Sequence, residues 1–530
     1  MTTEHVPVLI AGGGPVGLST AVFLARHGVP ALLVERRGAT STLPRAPGLQ
    51  ARTMELFRTA GIGADIRALE MGDSHPYFEG GILRVNTFAE IDDAVTLEAP
   101  SLDGPAVSPE RVMGCGQDRY ERVLVDKARE FGARVWLDTE LVGFEQDSEG
   151  VTAVVARDGV RHTVRADYLV GADGARSGIR ESLGVGRTGR GTVFHALSIY
   201  FRAPELDSVL RGRKFILCYA TALGTMVGLS RLHGRDPWLA APIYHPERGE
   251  SPADFTDERC VEIIRAVSGR PDLNVEITAK VPWEGAQRVA ETFRLGRVFL
   301  AGDAAHVHPP AGGFGANTGI HDAHNLAWKL AAVLTGWAAD RLLDSYDAER
   351  RRVGAAMAEQ AMVRNRIRHG HATDDDRAAM VDDIIITLGY RYSSAAVPGG
   401  PAQAAVLRPD LRLDGAPGTR VPHLWLRRYD EVISTVDLCW SDFVLLTGTL
   451  GQAWVDAAER TAKHLSVPLR AHMFGRDLDA PDTDWAQALG IGPDGAVLLR
   501  PDGFVAWRCA DGVDDPDSML ADVLGRAVGR

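Results

Sequence analysis

The residues of this sequence that are best suited to chemistry are glycines and acids at regular spacing near the N-terminus. Gly12, Gly14 and Gly17 have GxGxxG spacing, and Glu35 follows 18 residues after Gly17. Between a strand and a helix, such glycines permit a tight turn and let backbone N–H groups approach a pyrophosphate at the helix N-terminus. The acid can then accept a hydrogen bond from a ribose 2′-OH. The spacing therefore predicts a dinucleotide-binding site.

Two later segments also combine glycine with aspartate. Asp173-Gly174 follows one apolar run, and Gly302-Asp303 follows another. A carboxylate there can accept a hydrogen bond from a sugar-like hydroxyl, while the glycine permits close backbone approach. After Gly302-Asp303 come the stiff segment HPP at 308–310, a loop with three glycines, and a predicted helix from about Asn317. The N-terminus of that helix offers free N–H groups and partial positive charge to a ligand.

The elements that must position these residues follow from the spacing of apolar side chains. Short apolar runs predict buried strands at residues 6–11, 31–34, 168–172 and 298–301. Apolar residues at helical spacing after Gly17 complete a strand–helix–strand unit that ends at Glu35. Because open α/β sheets bind ligands at the carboxyl ends of their strands, we expect the three glycine and acid groups to meet at one edge.

Composition and charge exclude several classes of function. The chain has 530 residues and a net charge of −12, which argues against a nucleic-acid partner because phosphate backbones require a basic surface. No apolar run approaches the roughly 18 residues that cross a bilayer, and no cleavable leader is recognisable, so we expect a cytoplasmic protein without membrane contact. The five cysteines form no CxxC pair. We expect no metal site at the four neighbouring histidines, His306, His308, His321 and His324, because they lack ligand spacing.

The three groups, taken in order, resemble the three signatures of class A flavoprotein aromatic hydroxylases of the para-hydroxybenzoate hydroxylase type. They consist of GGGPVG at 12–17, Asp173-Gly174 with Arg176 downstream, and Gly302-Asp303 followed by PPAGGFGAN. The segments PRAPGLQARTMELFRTAG and RPDGFVAWR are similar to the larger members that modify aromatic polyketides, such as the aklavinone and rifampicin hydroxylases. The resemblance covers essentially the whole chain.

This resemblance implies an α/β fold of three domains. They are a Rossmann-like FAD-binding domain at 1–74, 108–185 and 286–398, a β-sheet substrate domain at 75–107 and 186–285, and a thioredoxin-like α/β domain at 402–530. Without a CxxC pair, the last domain is expected to be inactive in thiol exchange.

The resemblance also implies FAD as the resident cofactor, with NAD(P)H and molecular oxygen as co-substrates. The expected FAD contacts are Gly12, Gly14, Pro15, Val16, Gly17, Glu35, Arg36, Arg45, Gln117, Asp173, Gly302, Asp303, Pro310, Gly313, Gly315, Ala316 and Asn317. Pro310, Gly315 and Asn317 are expected to act in catalysis, by excluding water and by directing N–H dipoles at the anionic reduced flavin. The aromatic residues expected to line a substrate cavity are Phe194, Tyr200, Phe215, Tyr219 and Trp283. Arg52 is a further candidate for contact with phosphate or flavin atoms.

The implied reaction is hydroxylation of a small polycyclic aromatic or phenolic natural product, as in antibiotic biosynthesis, through a flavin C4a-hydroperoxide. The protein is expected to be a monomer or a homodimer, and its residues do not choose between NADH and NADPH. Two alternatives stay open: a non-catalytic FAD protein that binds and shields a reactive aromatic intermediate, and Baeyer–Villiger oxygen insertion on the same scaffold. A flavin-dependent halogenase is disfavoured because the sequence contains no WxWxIP segment.

Overall fold

A computed structural model describes residues 4–70, 80–99, 106–232 and 238–530 of the chain. Its α-helices are α1 (Pro15–Arg26), α2 (Ala51–Thr59), α3 (Gly63–Arg67), α4 (Gln117–Glu130), α5 (Gly178–Ser182), α6 (Leu206–Val209), α7 (Asp257–Ser268), α8 (Phe314–Leu334), α9 (Asp344–Arg368), α10 (Asp374–Ala379), α11 (Asp383–Leu388), α12 (Gln452–Leu465), α13 (Trp485–Leu489) and α14 (Pro516–Ala527). Its strands are β1 (Glu4–Ala11), β2 (Ala31–Val34), β3 (Gly48–Leu49), β4 (Ile82–Val85), β5 (Val95–Glu98), β6 (Met113–Gly114), β7 (Arg134–Trp136), β8 (Thr139–Gln146), β9 (Val151–Arg157), β10 (Val160–Gly171), β11 (Arg187–Arg202), β12 (Leu217–Ala220), β13 (Val227–Arg231), β14 (Trp238–Tyr244), β15 (Glu276–Ala290), β16 (Arg294–Leu295), β17 (Val298–Leu300), β18 (His306–Val307), β19 (Trp425–Arg428), β20 (Glu431–Ser434), β21 (Phe443–Thr447), β22 (Leu469–Met473), β23 (Ala496–Leu499) and β24 (Val505–Cys509).

The first sheet brings the three glycine and acid groups together. Its strands run in the order β16-β17-β10-β1-β2-β7, and β1, β2, β10 and β17 are parallel neighbours. Ala11 at the end of β1 pairs with Val34 and with Gly171, and Gly171 pairs with Leu300. The residues that follow these strand ends therefore share one edge, as expected for a ligand site in an open α/β sheet.

Helices α1 and α8 cross very closely beside this edge. Gly302 has φ of +61°, and a Cβ atom there would lie 2.6 Å from the Cγ2 atom of Val16. A Cβ atom at Gly319 would lie 2.5 Å from the same methyl group. Glycine at both positions is therefore required for α1, the turn after β17 and α8 to pack at this distance.

The second sheet has two chemically different faces. Its order is β18-β15-β11-β14-β13-β12-β4-β5. Leu197, Ile199 and Phe201 of β11 lie in a hydrophobic core that includes residues of α7. Because successive side chains of a strand alternate, the intervening Ser198 and Tyr200 point to the opposite face, which we call the cavity face. Strand β18, which follows Gly302-Asp303, pairs with β15 and joins this sheet to the edge of the first sheet.

The C-terminal sheet has the order β22-β21-β23-β24, with β21 and β22 parallel and the other pairs antiparallel. This order, with α12 between the parallel strands, is that of the expected thioredoxin-like module. Its core is shared with α8, because Trp328 and Ala332 pack in one cluster with Phe443 and Trp454. All five cysteines of the chain are unpaired thiols.

Two details differ from the sequence-based expectations. Helix α8 begins at Phe314 rather than near Asn317, because Gly313 adopts φ of +66° and serves as its N-cap. The predicted domain boundary between residues 285 and 286 falls inside β15, which continues to Ala290 and carries the pairing with β18. Among the described residues, no helix is both long enough and apolar enough to cross a membrane.

Candidate functional site

The glycine-rich turn after β1 leaves one open position. A Cβ atom at Gly12 would lie 2.2 Å from the carbonyl oxygen of Ala172, and one at Gly17 would lie 1.9 Å from the carbonyl oxygen of Gly12. At Gly14, by contrast, a Cβ atom would meet nothing within 4 Å. Gly14 is the N-cap of α1 and provides no side-chain cap for the first helical turn. Packing therefore requires Gly12 and Gly17, while Gly14 keeps a cradle open at a helix N-terminus.

Glu35 borders the same turn at the end of β2. Its Oε2 atom accepts a hydrogen bond from the N–H group of Gly13 at 2.6 Å, and its Oε1 atom accepts one from the N–H group of Arg37 at 2.9 Å. The carboxylate is thus oriented by backbone groups, and each oxygen retains acceptor capacity for a ribose hydroxyl. The neighbouring Arg36 is exposed.

Two aspartates present carboxylate oxygens at this edge, one of them with a buried oxygen that has no donor. Asp173 accepts a hydrogen bond from the N–H group of Ile179 at 3.1 Å through Oδ2, but its buried Oδ1 atom has no partner among the described residues. Asp303 is exposed at the same edge, so its carboxylate is accessible to a ligand. Unsatisfied carboxylate oxygens call for donors such as ribityl or ribose hydroxyls. This part of the site therefore fits FAD.

Asp322, which was not among the residues predicted from the sequence, holds the Gly302-Asp303 turn. Its Oδ2 atom accepts hydrogen bonds from the N–H group of Gly302 at 3.0 Å and from Nε2 of His306 at 2.8 Å. Its Oδ1 atom accepts one from Nε of Arg350 at 2.7 Å. Burial opposes ionisation of this carboxyl group, but Arg350 and His306 outweigh burial and lower its pKa. The available signal was an acid in the middle of a largely apolar helix.

The side chain of Asn317 serves as a clamp. Its Oδ1 atom accepts hydrogen bonds from the N–H group of Gln50 at 2.9 Å and from the hydroxyl of Thr53 at 2.7 Å. Its Nδ2 atom donates to the carbonyl oxygens of Gly48 and Gly313, both at 3.0 Å. All four hydrogen-bonding positions of the amide are used. The expected catalytic part of Asn317 is therefore restricted to its backbone, and we name these contacts the Asn317 clamp.

The loop before α8 presents the residues expected near the flavin ring. The N–H group of Gly313 donates to the carbonyl oxygen of Pro310 at 3.0 Å, and a Cβ atom at Gly313 would meet nothing within 4 Å. Pro310 is exposed, while Gly315 and Ala316 are half-buried in the first turn of α8. A Cβ atom at Gly315 would lie 3.7 Å from the ring of His308. The loop thus combines open backbone with a helix N-terminus, as required for an anionic ligand.

The loop with Arg45 is held by α4. The N–H group of Gln117 donates to the carbonyl oxygen of Arg45 at 2.9 Å, and Nε2 of Gln117 donates to Glu121 at 2.6 Å. The Arg45 guanidinium interacts with the Tyr200 hydroxyl, where it offsets part of the rise in pKa that burial causes. Arg45 therefore connects α4 of the first domain to Tyr200 on the cavity face.

Arg52 does not reach a cofactor position, which corrects the expectation for this residue. Its side chain is buried, donates to Glu55 at 2.9 Å, and donates to the carbonyl oxygen of Asp502 at 2.6 Å. The Arg52 guanidinium therefore forms part of the contact between α2 and the C-terminal module. Residues 51–57 of α2 are all buried, so Arg52 lies in the interior whichever side of the helix it occupies.

Three of the expected substrate residues share one aromatic wall. The rings of Phe194 and Trp283 lie 5.4 Å apart, and those of Tyr219 and His369 lie 5.8 Å apart, with His369 6.2 Å from Phe194. Arg368 approaches the Tyr219 hydroxyl and partly offsets the rise in pKa that burial imposes on it.

Phe215 is misplaced in the sequence-based expectation. It is buried in the hydrophobic core of the second sheet together with Leu83 and Cys218, on the side opposite the cavity face. We therefore withdraw it from the cavity residues. Aromatic character alone does not show which face of a sheet a side chain covers.

The four neighbouring histidines have separate partners. His306 pairs with Asp322, and Nδ1 of His308 contacts the carbonyl oxygen of Pro309 at 3.2 Å. His321 contacts the hydroxyl of Thr53 at 3.0 Å, and the ring of His324 packs 5.1 Å from that of Phe23. Within the described ranges, no group of three or more His, Cys, Asp or Glu side chains could hold a metal ion.

We expect the fold to lose stability in mild acid because several histidines are buried in the neutral form. Burial lowers the pKa of His27 from 6.5 to about 4, and it lowers those of His321 and His324 well below 6.5. The unfolded chain therefore binds protons first, and stability is lost as the pH falls from about 6.5 towards 4. His27 alone accounts for up to roughly 3 kcal/mol at pH 4.

Denaturant titrations between about pH 7.5 and 4.5 measure this loss of unfolding free energy. The ring of His27 stacks on that of Trp440 at 4.6 Å, so His27→Phe retains the packing and removes the titrating group. This variant should show a shallower pH dependence than the parent chain. An unfolding free energy that stays constant across this range would contradict the assignment.

Comparisons with known proteins agree with this geometry. A family model described as an FAD binding domain matches residues 5–361, and one described as the C-terminal part of aromatic-ring hydroxylases matches residues 414–530. The chain is 44% identical to tetracenomycin A2 monooxygenase-dioxygenase of Streptomyces glaucescens, over 100% of this chain and 98% of that protein. It is 39% identical to aklavinone 12-hydroxylase RdmE of Streptomyces purpurascens, over 100% of both chains. The crystal structure of aklavinone-11 hydroxylase with FAD and aklavinone matches with a TM-score of 0.92 and 38% identity, again over 100% of both chains.

Proposed function

We infer the function of this chain from the family to which it belongs, the FAD-dependent aromatic-ring hydroxylases. It is a monooxygenase that uses NAD(P)H and molecular oxygen to hydroxylate a polycyclic aromatic polyketide. The fold class, the FAD requirement and the monooxygenase activity expected from the sequence are confirmed by the relatives. The two alternatives, a shielding protein and Baeyer–Villiger insertion, are not favoured by them.

The observation that carries the proposal is the edge that brings together the open cradle at Gly14, the buried donor-free Oδ1 atom of Asp173 and the exposed carboxylate of Asp303. We propose that the cradle holds the pyrophosphate of FAD, and that Glu35 and the two aspartates accept hydrogen bonds from its hydroxyl groups. Bound FAD supplies the redox chemistry, taking a hydride from NAD(P)H and activating oxygen for transfer to an aromatic ring.

The residues around the flavin position have two tasks. We propose that backbone N–H groups of Gly315, Ala316 and Asn317 direct partial positive charge at the anionic reduced flavin. The Asn317 clamp fixes that helix end against α2 before any ligand binds, so the dipoles need no reorganisation. Pro310 and the cavity face exclude water, which would otherwise divert the oxygen to hydrogen peroxide.

The cavity face suits a flat polycyclic ligand. Beside the aromatic wall of Phe194, Trp283 and Tyr219 it presents small residues, among them Ser198 and Gly228, which share its side of the sheet. Broad planar rings can lie against such a surface with little obstruction. Arg368, which forms two hydrogen bonds with Glu98 at 2.6 and 2.8 Å, places a cation next to Tyr219. We propose that this pair binds a phenolic oxygen of the substrate.

A substrate panel tests the proposal. Purified holoenzyme is mixed with NADH or NADPH and with polycyclic phenols, and cofactor oxidation is followed together with product mass under ¹⁸O₂. We expect an aromatic polyketide to accelerate NAD(P)H oxidation at least tenfold and to gain one oxygen atom from O₂. Tight binding of several panel members without any acceleration would favour the shielding protein instead.

The cytoplasmic location and the monomeric or homodimeric state stay predictions from the sequence. Size-exclusion chromatography with light scattering on the purified holoenzyme determines the second of them.

A further inference from the structure

The C-terminal module contacts the first domain at several places, and one of them is the turn of residues 500–504 between β23 and β24. We propose that Asp502 in this turn is a positioning residue for the FAD site, because it joins the two helices that form the Asn317 clamp. The inference rests on the proposed binding of FAD at the N-terminus of α8, and it gives the C-terminal module a part in that site.

The carboxylate of Asp502 contacts α8 directly. Its Oδ2 atom accepts hydrogen bonds from Nδ2 of Asn325 and from Nε1 of Trp328, both at 3.3 Å. Its Oδ1 atom accepts one from Nε of Arg500 at 3.0 Å. The residue is 3% exposed, so water does not compete for these donors. The turn is therefore fastened to α8 at two successive positions along one side of the helix.

The backbone of Asp502 contacts α2. Its carbonyl oxygen accepts a hydrogen bond from Nη2 of Arg52 at 2.6 Å. In the sequence, Arg52 stands between Gln50 and Thr53, whose N–H and hydroxyl groups donate to Asn317. A single residue of the C-terminal module thus holds both helices whose relative position sets the Asn317 clamp.

The charges around the turn balance within the protein interior. Glu349 accepts hydrogen bonds from Arg500 at 2.5 and 2.9 Å and from Lys329 at 2.8 Å. With Asp502, the cluster holds two carboxylates and two cations, all of them 3% exposed or less. Removing one carboxylate leaves a buried cation without compensation, which in buried ion pairs is strongly destabilising. The cluster relieves such an imbalance by shifting the turn relative to α8.

Such a shift reaches the flavin side by a short path. Trp328 lies 13 residues from Gly315 along α8, which corresponds to about 20 Å of helix. The path through Arg52 is shorter, because α2 carries Thr53 and its N-cap is Gln50, and both of these residues donate to Asn317. Loosening of the clamp would move the N–H groups of the first turn of α8 away from the position where they stabilise reduced flavin.

The test uses Asp502→Asn in the full-length chain, which preserves the shape of the side chain and removes its charge. Two measurements are made without aromatic substrate: the dissociation constant of FAD by flavin fluorescence, and the midpoint potential of the bound flavin. We expect FAD to bind about tenfold more weakly. We also expect reduced FAD to lose tenfold more affinity than oxidised FAD, which lowers the potential by about 30 mV for a two-electron couple.

Asp517→Asn is the matched control. Asp517 lies in the same C-terminal module and accepts two hydrogen bonds from Arg460 at 2.6 and 2.7 Å, but the pair is exposed. Surface pairs of this kind contribute little to stability. This variant should retain the FAD affinity and the midpoint potential of the parent chain within twofold and a few millivolts.

Arg52→Lys provides a second variant in case Asp502→Asn does not fold. It preserves the charge beside Glu55 but loses the planar fork that reaches Glu55 and the carbonyl oxygen of Asp502 together. We expect the same direction of change, with FAD bound threefold to fivefold more weakly. Unchanged FAD affinity and midpoint potential in a folded variant would overturn the proposal, even if its melting temperature fell. Failure of both variants to fold would also overturn it, because the contacts would then serve folding itself.

These outcomes are distinct from failure of the proposed function. Neither measurement requires an aromatic substrate, oxygen or NAD(P)H, so the positioning role can hold for a protein that only shields its ligand. Conversely, substrate-stimulated oxidation of NAD(P)H in the parent chain can hold even if Asp502→Asn has no effect on the flavin.

Discussion

Replacing Gly14 with glutamate should expel FAD from a chain that still folds. A Cβ atom at this position meets nothing within 4 Å, and the backbone φ of −81° suits any L-residue, so the new side chain finds space in the free protein. In the complex, that space is the cradle proposed for the pyrophosphate. A carboxylate there adds both a steric conflict and a repulsion between like charges. We expect the FAD dissociation constant to rise at least a hundredfold, or about 3 kcal/mol.

Two further variants isolate the cause. Gly14→Ala adds the Cβ atom without charge and should weaken FAD binding far less than the glutamate. Gly143→Glu places the same side chain in β8, at another glycine whose Cβ position is open, and should leave FAD binding unchanged. Full flavin absorbance in purified Gly14→Glu would show that the pyrophosphate lies elsewhere.

Replacing Ala316 with glutamate should separate FAD binding from catalysis. Ala316 lies in the first turn of α8 and is half-buried. An acid in a first helical turn is favourable for the helix, so the fold should tolerate it. The same carboxylate would take up the positive end of the helix dipole and repel the anionic reduced flavin. Losing about 3 kcal/mol of stabilisation corresponds to roughly a hundredfold lower rate.

Stopped-flow reduction of the bound flavin by NAD(P)H, with and without an aromatic ligand, measures this effect. Ala316→Gln, which has nearly the same shape and no charge, should lose less than tenfold in rate. If the glutamate and glutamine variants are equally slow, bulk rather than charge is responsible, and the stabilising role of the helix N-terminus is wrong.

Local sequence was sufficient for the elements that border the edge of the first sheet. The predicted strand at 298–301 corresponds to β17 (Val298–Leu300), and the helical pattern after Gly17 to α1 (Pro15–Arg26). Strand ends followed by glycine and acid identified the turn positions because tight turns and close approach restrict the residue types that fit. Helix α8 begins three residues before the predicted start, because Gly313 in the left-handed region both ends the preceding loop and caps the helix.

The partners of the polar side chains were decided by tertiary structure. Asn317, expected near the flavin, turned out to bind residues more than 260 positions away in the sequence, such as Thr53. Arg52, expected at a phosphate, pairs with Glu55 and with the backbone of Asp502. A buried polar side chain forms hydrogen bonds with the donors or acceptors that packing brings within about 3 Å. The periodicity of the sequence does not indicate which groups these are.

What the sequence determined by itself is the backbone chemistry of the site. Gly12 adopts φ of +113°, and Gly17 lies so close to the carbonyl oxygen of Gly12 that no side chain would fit. Both restrictions arise within one short segment of the chain. Tertiary structure alone decided which face of the second sheet covers the flavin side, and so separated Tyr200 from Phe215. It also decided that Asp322 and Asp502 would fasten α8. The physical reason is that alternation along a strand defines two faces but does not show which of them faces the core. In addition, a buried charge is stabilised by partners that only folding brings together.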